Sequence, residues 1–175
     1  MNSTLRSIGS VVLVTAVSFS TASGVLASPY PMTGDLASEG TAESNEDISS
    51  NLVAEAPTAE KNESGNLLSV TWSIKNEGDG DVFFTWPTGT SYMYKDALTY
   101  SGVTVTSSSG DRRFHPVMDG DNNCLCSGNV SIDFKEHIGA GEKVAYWSMY
   151  SVPEDVDAIT LEIPGFEPIE DIPIS

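Results

Sequence analysis

A strict two-residue alternation beyond Ser64 constrains this chain more than any other feature. Leu68, Val70, Trp72 and Ile74 alternate with Ser69, Thr71, Ser73 and Lys75. Successive side chains on a strand point to opposite faces, so the pattern predicts a half-buried β-strand. Asn76-Glu77-Gly78-Asp79-Gly80 follows as a turn, its glycines permitting positive φ. Val82–Trp86 predicts a second strand, stopped by Pro87, and weaker strands are expected at Ser91–Tyr94 and Leu98–Thr106. Arg112–Val117 reads as a short edge, because Pro116 cannot donate to a ladder.

Val130, Ile132 and Phe134 alternate with Ser131, Asp133 and Lys135. Lys143–Tyr150 and Ile159–Ile163 complete the set, the last ended by Pro164-Gly165. No segment past residue 64 sustains a helical period for three turns. About eight short strands in roughly 110 residues predict an all-β fold, an antiparallel immunoglobulin-like β-sandwich of about 7–9 strands. The inter-sheet cysteine pair of antibody domains is absent, since both cysteines sit together. A small barrel is the alternative topology.

The first 27 residues read as a secretory signal peptide. Arg6 and the amino terminus supply the positive region, the run beginning Val11-Val12-Leu13-Val14 supplies the apolar one, and Val25-Leu26-Ala27 offers a cleavage point before Ser28. The alternative is a retained anchor: Ile8–Leu26 is 19 uncharged residues, but Ser, Thr and Gly interrupt it repeatedly. No other stretch is expected to span a membrane. Residues 28–63 hold eight acids and one base (Lys61), and Leu36, Ile48, Leu52 and Val53 show no sustained period. Such a stretch is expected to be a disordered acidic linker, leaving residues 64–175 as the folded domain.

Charge excludes several functions. With 25 acidic and 8 basic residues the net charge is −17, the wrong sign for a nucleic-acid binder or for adhesion to anionic lipid. Within the predicted domain no Lys or Arg follows Lys143, so its carboxyl-terminal third is acidic throughout. A cationic partner, divalent ions or a saline medium would fit that bias, and so would simple solubility.

The sharpest local feature is Cys124-Leu125-Cys126. In an oxidising compartment thiols this close tend to pair, and residues two apart in a bent chain fall within the Cα range of about 4.4–6.8 Å that a disulfide permits. The chain-entropy formula gives such a tiny loop only about 1.6 kcal/mol, so a bridge there shapes a turn more than it staples a fold. Two thiolates with His115, His137 or Met118 could instead form a soft copper or zinc site. A redox dithiol is a third reading, though no helix start follows to stabilise a thiolate. Asp119, Asp121 and Asn123 have the spacing of the first ligands of a calcium loop, but Cys124 and Val130 stand where Gly and a bidentate Glu are wanted. A solvated turn accounts for the same residues.

Nucleophilic catalysis finds little support. There is neither a G-x-S-x-G elbow nor an H-E-x-x-H motif, and carboxylate pairs abound only because carboxylates do. Trp72, Trp86 and Trp147, with Tyr92, Tyr94, Tyr100, Tyr146 and Tyr150, invite a carbohydrate platform. Trp147, however, shares its strand face with Ala145 and Met149, which reads as core.

Cys124-Leu125-Cys126-Ser127, the strand-turn Val70–Asp79 and the ending from Ile163-Pro164-Gly165-Phe166 to Ser175 together resemble an uncharacterised exported β domain of actinobacteria. That domain also precedes OmpA-like peptidoglycan-binding domains in longer proteins. The opening strand and turn are similar to generic immunoglobulin-like domains of exported bacterial proteins, such as the DUF4352 type. The resemblance covers roughly residues 64–175. It implies an envelope-associated, non-catalytic role with no assigned active site, so no functional residue carries over. No OmpA-like part follows Ser175, so anchoring to the wall through one is not expected.

These readings lead to a secreted, non-enzymatic β-sandwich acting as a binding or accessory module at the cell envelope. It is expected to be a monomer with no cofactor and no catalytic residue, engaging an unidentified envelope or secreted protein. The alternative is a metal-handling domain centred on Cys124 and Cys126, with His115, Asp119, Asp121 and Asn123 as further candidate ligands.

Overall fold

The computed structural model describes residues 38–89, 94–95, 98–129, 131–132 and 134–175. The expected signal peptide, the first ten residues of the expected linker and most of the expected strand at Ser91–Tyr94 lie outside them. Ten strands are found among the described residues: β1 (Gly40–Glu43), β2 (Leu52–Lys61), β3 (Leu67–Asn76), β4 (Val82–Phe83), β5 (Thr104–Ser107), β6 (Arg113–Phe114), β7 (His137–Ile138), β8 (Lys143–Ser151), β9 (Ala158–Glu162) and β10 (Ile169–Pro173). They form one four-stranded sheet in the order β1-β2-β3-β8, a second in the order β10-β9-β5-β6, and a small β4-β7 ribbon. Every pairing is antiparallel. The fold is therefore an all-β sandwich, as the alternation requires. Among the described residues no helix is long and apolar enough to cross a membrane.

The inward faces of both sheets supply one core. Leu68, Val70, Trp72 and Ile74 of β3 are buried, as are Val105 of β5, Ile159 and Leu161 of β9, and Ile169 and Ile172 of β10. Around Trp72 an aromatic cluster forms, with Tyr146 at 4.7 Å, Tyr100 at 5.7 Å and Phe84 at 6.2 Å between ring centroids. Buried phenols need acceptors. Tyr146 Oη donates to the Lys135 carbonyl at 2.8 Å, Tyr150 Oη to Val103 at 3.0 Å, and Tyr100 Oη to Phe84. Burial raises all three phenol pKa values well above the ordinary range.

The expected disordered linker over 28–63 is corrected by β1 and β2, which also lift the strand number above the expected 7–9. β2 lies between β1 and β3, with Leu52, Ala54, Ala56 and Ala59 all at most 3% exposed. Its alternation is carried by alanines, which a search for large apolar residues does not register. The period also slips once. Between the pairs Glu55↔Ser73 and Thr58↔Thr71 the register shifts, so Ala56 and Pro57 together oppose Trp72. A bulge tolerates proline, because its missing amide has no ladder partner there. Small residues are needed on this side because the sheets converge: a Cβ on Gly40 would lie 2.4 Å from Ile169 Cγ2.

A second correction concerns Val130–Lys135, expected as a strand. Ser131 and Ile132 lie in a bend and turn, Ile132 is 82% exposed, and the Ser131 amide donates to Gly128 at 2.8 Å. Val130 and Asp133 lie outside the described residues. The expected strand at Val82–Trp86 shortens to two residues, with Phe83 turned outward.

The chain crosses between the sheets at both margins. On one side the Glu167 amide donates to Glu43 and the Ser175 amide to Ala59, both at 3.0 Å, tying the β10 end of the second sheet to β1 and β2. On the other, the chain leaves β6 and reaches β8 two residues later, where Pro116 bridges Tyr150.

Candidate functional site

That second margin is built by the Cys-x-Cys segment. The Val117 amide donates to Met149 at 2.8 Å, the Met149 amide to Leu125 at 2.9 Å and the Leu125 amide to Val117 at 2.8 Å. Ser127 continues the line, its amide donating to Trp147 at 2.8 Å and its Oγ accepting from the Trp147 amide at 2.9 Å. The outer edge of β8, which would otherwise present unpaired amides and carbonyls, is thereby covered. Cys124 and Cys126 are 4% and 1% exposed. Their sulfurs lie 2.07 Å apart and their Cα atoms 5.3 Å apart, close enough for a disulfide.

The turn between the two arms explains the Asp-x-Asp-x-Asn run. One Asp119 carboxylate oxygen accepts the amides of Asp121 at 2.8 Å and Asn123 at 2.9 Å, and the other accepts Asn123 Nδ2 at 2.8 Å. Asn122 takes the left-handed conformation at φ 68°, which asparagine tolerates. The Asn123 side chain, then the Asn123 and Asp121 amides, hold the Asp119 carboxyl below the usual carboxylate range. Asp119 is a turn cap whose oxygens already serve three donors; Asp121 and His115 are exposed. Among the described residues no three His, Cys, Asp or Glu side chains converge as a metal ion would need. The structure thus does not bring His115, Asp119, Asp121 and Asn123 together with the cysteines as one ligand set. His137, the other candidate imidazole, lies on the β4-β7 ribbon, against the Phe83 ring at 4.8 Å and 3.3 Å from Asp81.

β8 reverses the expected faces of its aromatic residues. Val144, Tyr146, Ser148 and Tyr150 point inward, at 2%, 3%, 0% and 0% exposure, while Trp147 is 37% exposed. Core burial of a serine is the reason the strand misleads: Ser148 Oγ accepts the Trp72 indole N–H at 3.4 Å, so a polar residue occupies an inward position.

The outer face of the first sheet is consequently a grid whose rows run across the strands. Met149, Ser69 and Glu60 form one row; Trp147, Thr71 and Thr58 the next; Ala145, Ser73 and Glu55 the third; Lys143, Lys75 and Val53 the fourth. Glu55 and Lys143 pair diagonally over Ser73 at 2.5 Å, with side chains only 14% and 28% exposed. Beneath them Ser73 Oγ is buried without a hydrogen-bond partner. Two members of this face escape a reading of the sequence alone: Glu55 falls in the stretch taken for a linker, and Trp147 in the set taken for core. The available signal was the alanine alternation Ala54, Ala56, which places Glu55 on an outward position.

No protein-family model matches the chain, and no curated protein sequence matches it. Among solved structures, a functionally unknown protein from Listeria monocytogenes EGD-e is similar at a TM-score of 0.38 and 13% identity, over 79% of this chain and 85% of that chain. At that score the likeness assigns neither a fold nor an activity.

Proposed function

We propose that the protein is exported and serves at the cell envelope as a non-enzymatic β-sandwich binding module. The observation that carries this reading is the buried Cys124–Cys126 pair, at bonding distance and placed where it closes the segment covering β8. A disulfide used in this way persists in an oxidising compartment and not in a reducing cytosol. The signal-like first 27 residues agree with that placement. A binding role, rather than catalysis, fits a sandwich whose margins are tied together and whose broad sheet face carries Trp147 beside hydroxyls and an ion pair.

The test uses the full-length protein recovered from its host without reductant. The expected result is an amino terminus at Ser28, no titratable thiol after denaturation, and retention of the protein by the host's wall fraction. An intact Met1 with two free thiols in the cytosolic fraction would overturn the reading. Two thiols with stoichiometric bound copper or zinc would replace it with the metal-handling alternative.

A further inference from the structure

We infer that the outer face of the first sheet is a platform for an uncharged glycan chain, with Trp147 as its stacking surface. The inference rests on the binding-module reading and specifies its ligand. Four observations converge on the same rows of the grid. Trp147 is the only exposed tryptophan among the described residues, and no ring partner packs on it there. Its neighbour along the strand on one side is Ala145, too small to cover the indole. Directly across from it stand Thr71 and then Thr58, one hydroxyl per strand at the sheet's spacing of about 4.8 Å. The adjacent row ends in Glu55, locked to Lys143, which offers both acceptors and donors in a fixed, half-desolvated place.

An aromatic ring beside a line of hydroxyls and a held carboxylate–ammonium pair matches the chemistry of a sugar. The apolar C–H face of a pyranose stacks on the indole, while its hydroxyls exchange hydrogen bonds with Thr71, Thr58 and the ion pair. Charge selects the class of glycan. Glu55 and Glu60 on this face are matched by Lys143 and Lys75, so it presents no net charge to hold an ionic polymer, and the −17 of the whole chain opposes an anionic one. One indole level with two threonines across three strands suits an extended chain laid across the strands better than an isolated monosaccharide.

The experiment measures binding of the full-length protein to cellohexaose, maltohexaose and N-acetylated chitohexaose by calorimetry, and to the parent insoluble polysaccharides by retention. At least one is expected to bind. Trp147→Ala is expected to weaken it about 30-fold, as removal of an aromatic anchor does, and Trp147→Phe much less. Thr71→Val, which keeps the strand and its shape, is expected to weaken it several-fold without altering the near-ultraviolet circular dichroism. A wild-type protein that none of these neutral glycans retains, or whose binding Trp147→Ala leaves unchanged, overturns the inference. If the host wall fraction still retains such a protein, the platform assignment alone has failed and the binding-module reading stands; if nothing retains it, both fail.

Discussion

Two leucine-sized residues four positions apart, Ile48 and Leu52, decide whether the stretch before residue 64 is part of the folded domain. Leu52 opens β2 and is 1% exposed, whereas Ile48 sits in a short 3-10 turn and is 55% exposed. Truncating a fully buried leucine to alanine removes its transfer free energy and leaves a cavity, together about 2–5 kcal/mol. Leu52 lies near the start of its strand, where partial collapse is easier, so about 3 kcal/mol is the value to expect. For a domain of this size that corresponds to a loss of about 10 °C in Tm. Ile48→Ala, on the surface, should change stability by no more than about 0.5 kcal/mol. Urea unfolding followed by tryptophan fluorescence reads both variants, and unchanged m-values would show that the denatured state is the same. A disordered linker would make the two variants equal and near wild type. That outcome would refute the assignment of β2 to the sandwich.

Three further outcomes follow from the same geometry. Reducing the Cys124–Cys126 bridge should cost about 1.6 kcal/mol in urea unfolding, the loop-entropy value for so short a closure, and a cost above about 4 kcal/mol would show that the bridge staples more than its own turn. Gly40→Ala should destabilise by about 1–3 kcal/mol through the 2.4 Å approach to Ile169 Cγ2, and Gly40→Ala with Ile169→Val should recover part of it in a double-mutant cycle. Because the folded-state pKa of Asp119 is depressed, its contribution is present above the unfolded value of about 4 and lost as pH falls through the folded value; Asp119→Asn should therefore lower stability near pH 7, cost little at the acid end, and so flatten the acid limb of the stability profile.

The strands legible beforehand are those whose inward residues are large. β3, β8 and β9 bury Leu, Val, Ile, Trp or Tyr at alternate positions, and a period of two appears without help from the rest of the chain. β2 buries alanines because the two sheets converge beside β10, a fact about the far side of the molecule that no local pattern contains. Its proline compounds the effect. Pro57 normally argues against an interior strand, yet the bulge opposite Trp72 accommodates it and shifts the inward positions from even to odd numbers. Conversely, Val130–Lys135 alternates as β9 does, but the chain turns there: the Ser131 amide donates to the Gly128 carbonyl three residues back, just after the Asn129 amide has been tied to the Leu98 carbonyl.

The candidate site was hidden by a single exchange between core and surface. Alternation on β8 states that Tyr146, Ser148 and Tyr150 share one face and Ala145, Trp147 and Met149 the other, but not which face is inward. Apolar content favours the second set, and the sandwich chooses the first. The phenols can be buried because Lys135 and Val103 present carbonyls to them, and Ser148 can be buried because Trp72 needs an acceptor for its indole N–H. Each of these polar atoms of the inward set thus has a partner on another segment of the chain, which removes the penalty that would otherwise expel it. With the interior satisfied by amphipathic side chains, Trp147 is left on the outside, where the strand register brings it level with Thr71 and Thr58. The same polar network that gives the core its aromatic packing therefore sets the composition of the exposed face. A change such as Ser148→Val, by depriving the Trp72 N–H of its acceptor, should disturb the core by about 1–3 kcal/mol. Binding at Trp147 should survive at temperatures where the variant remains folded, because the two side chains lie on opposite faces of β8.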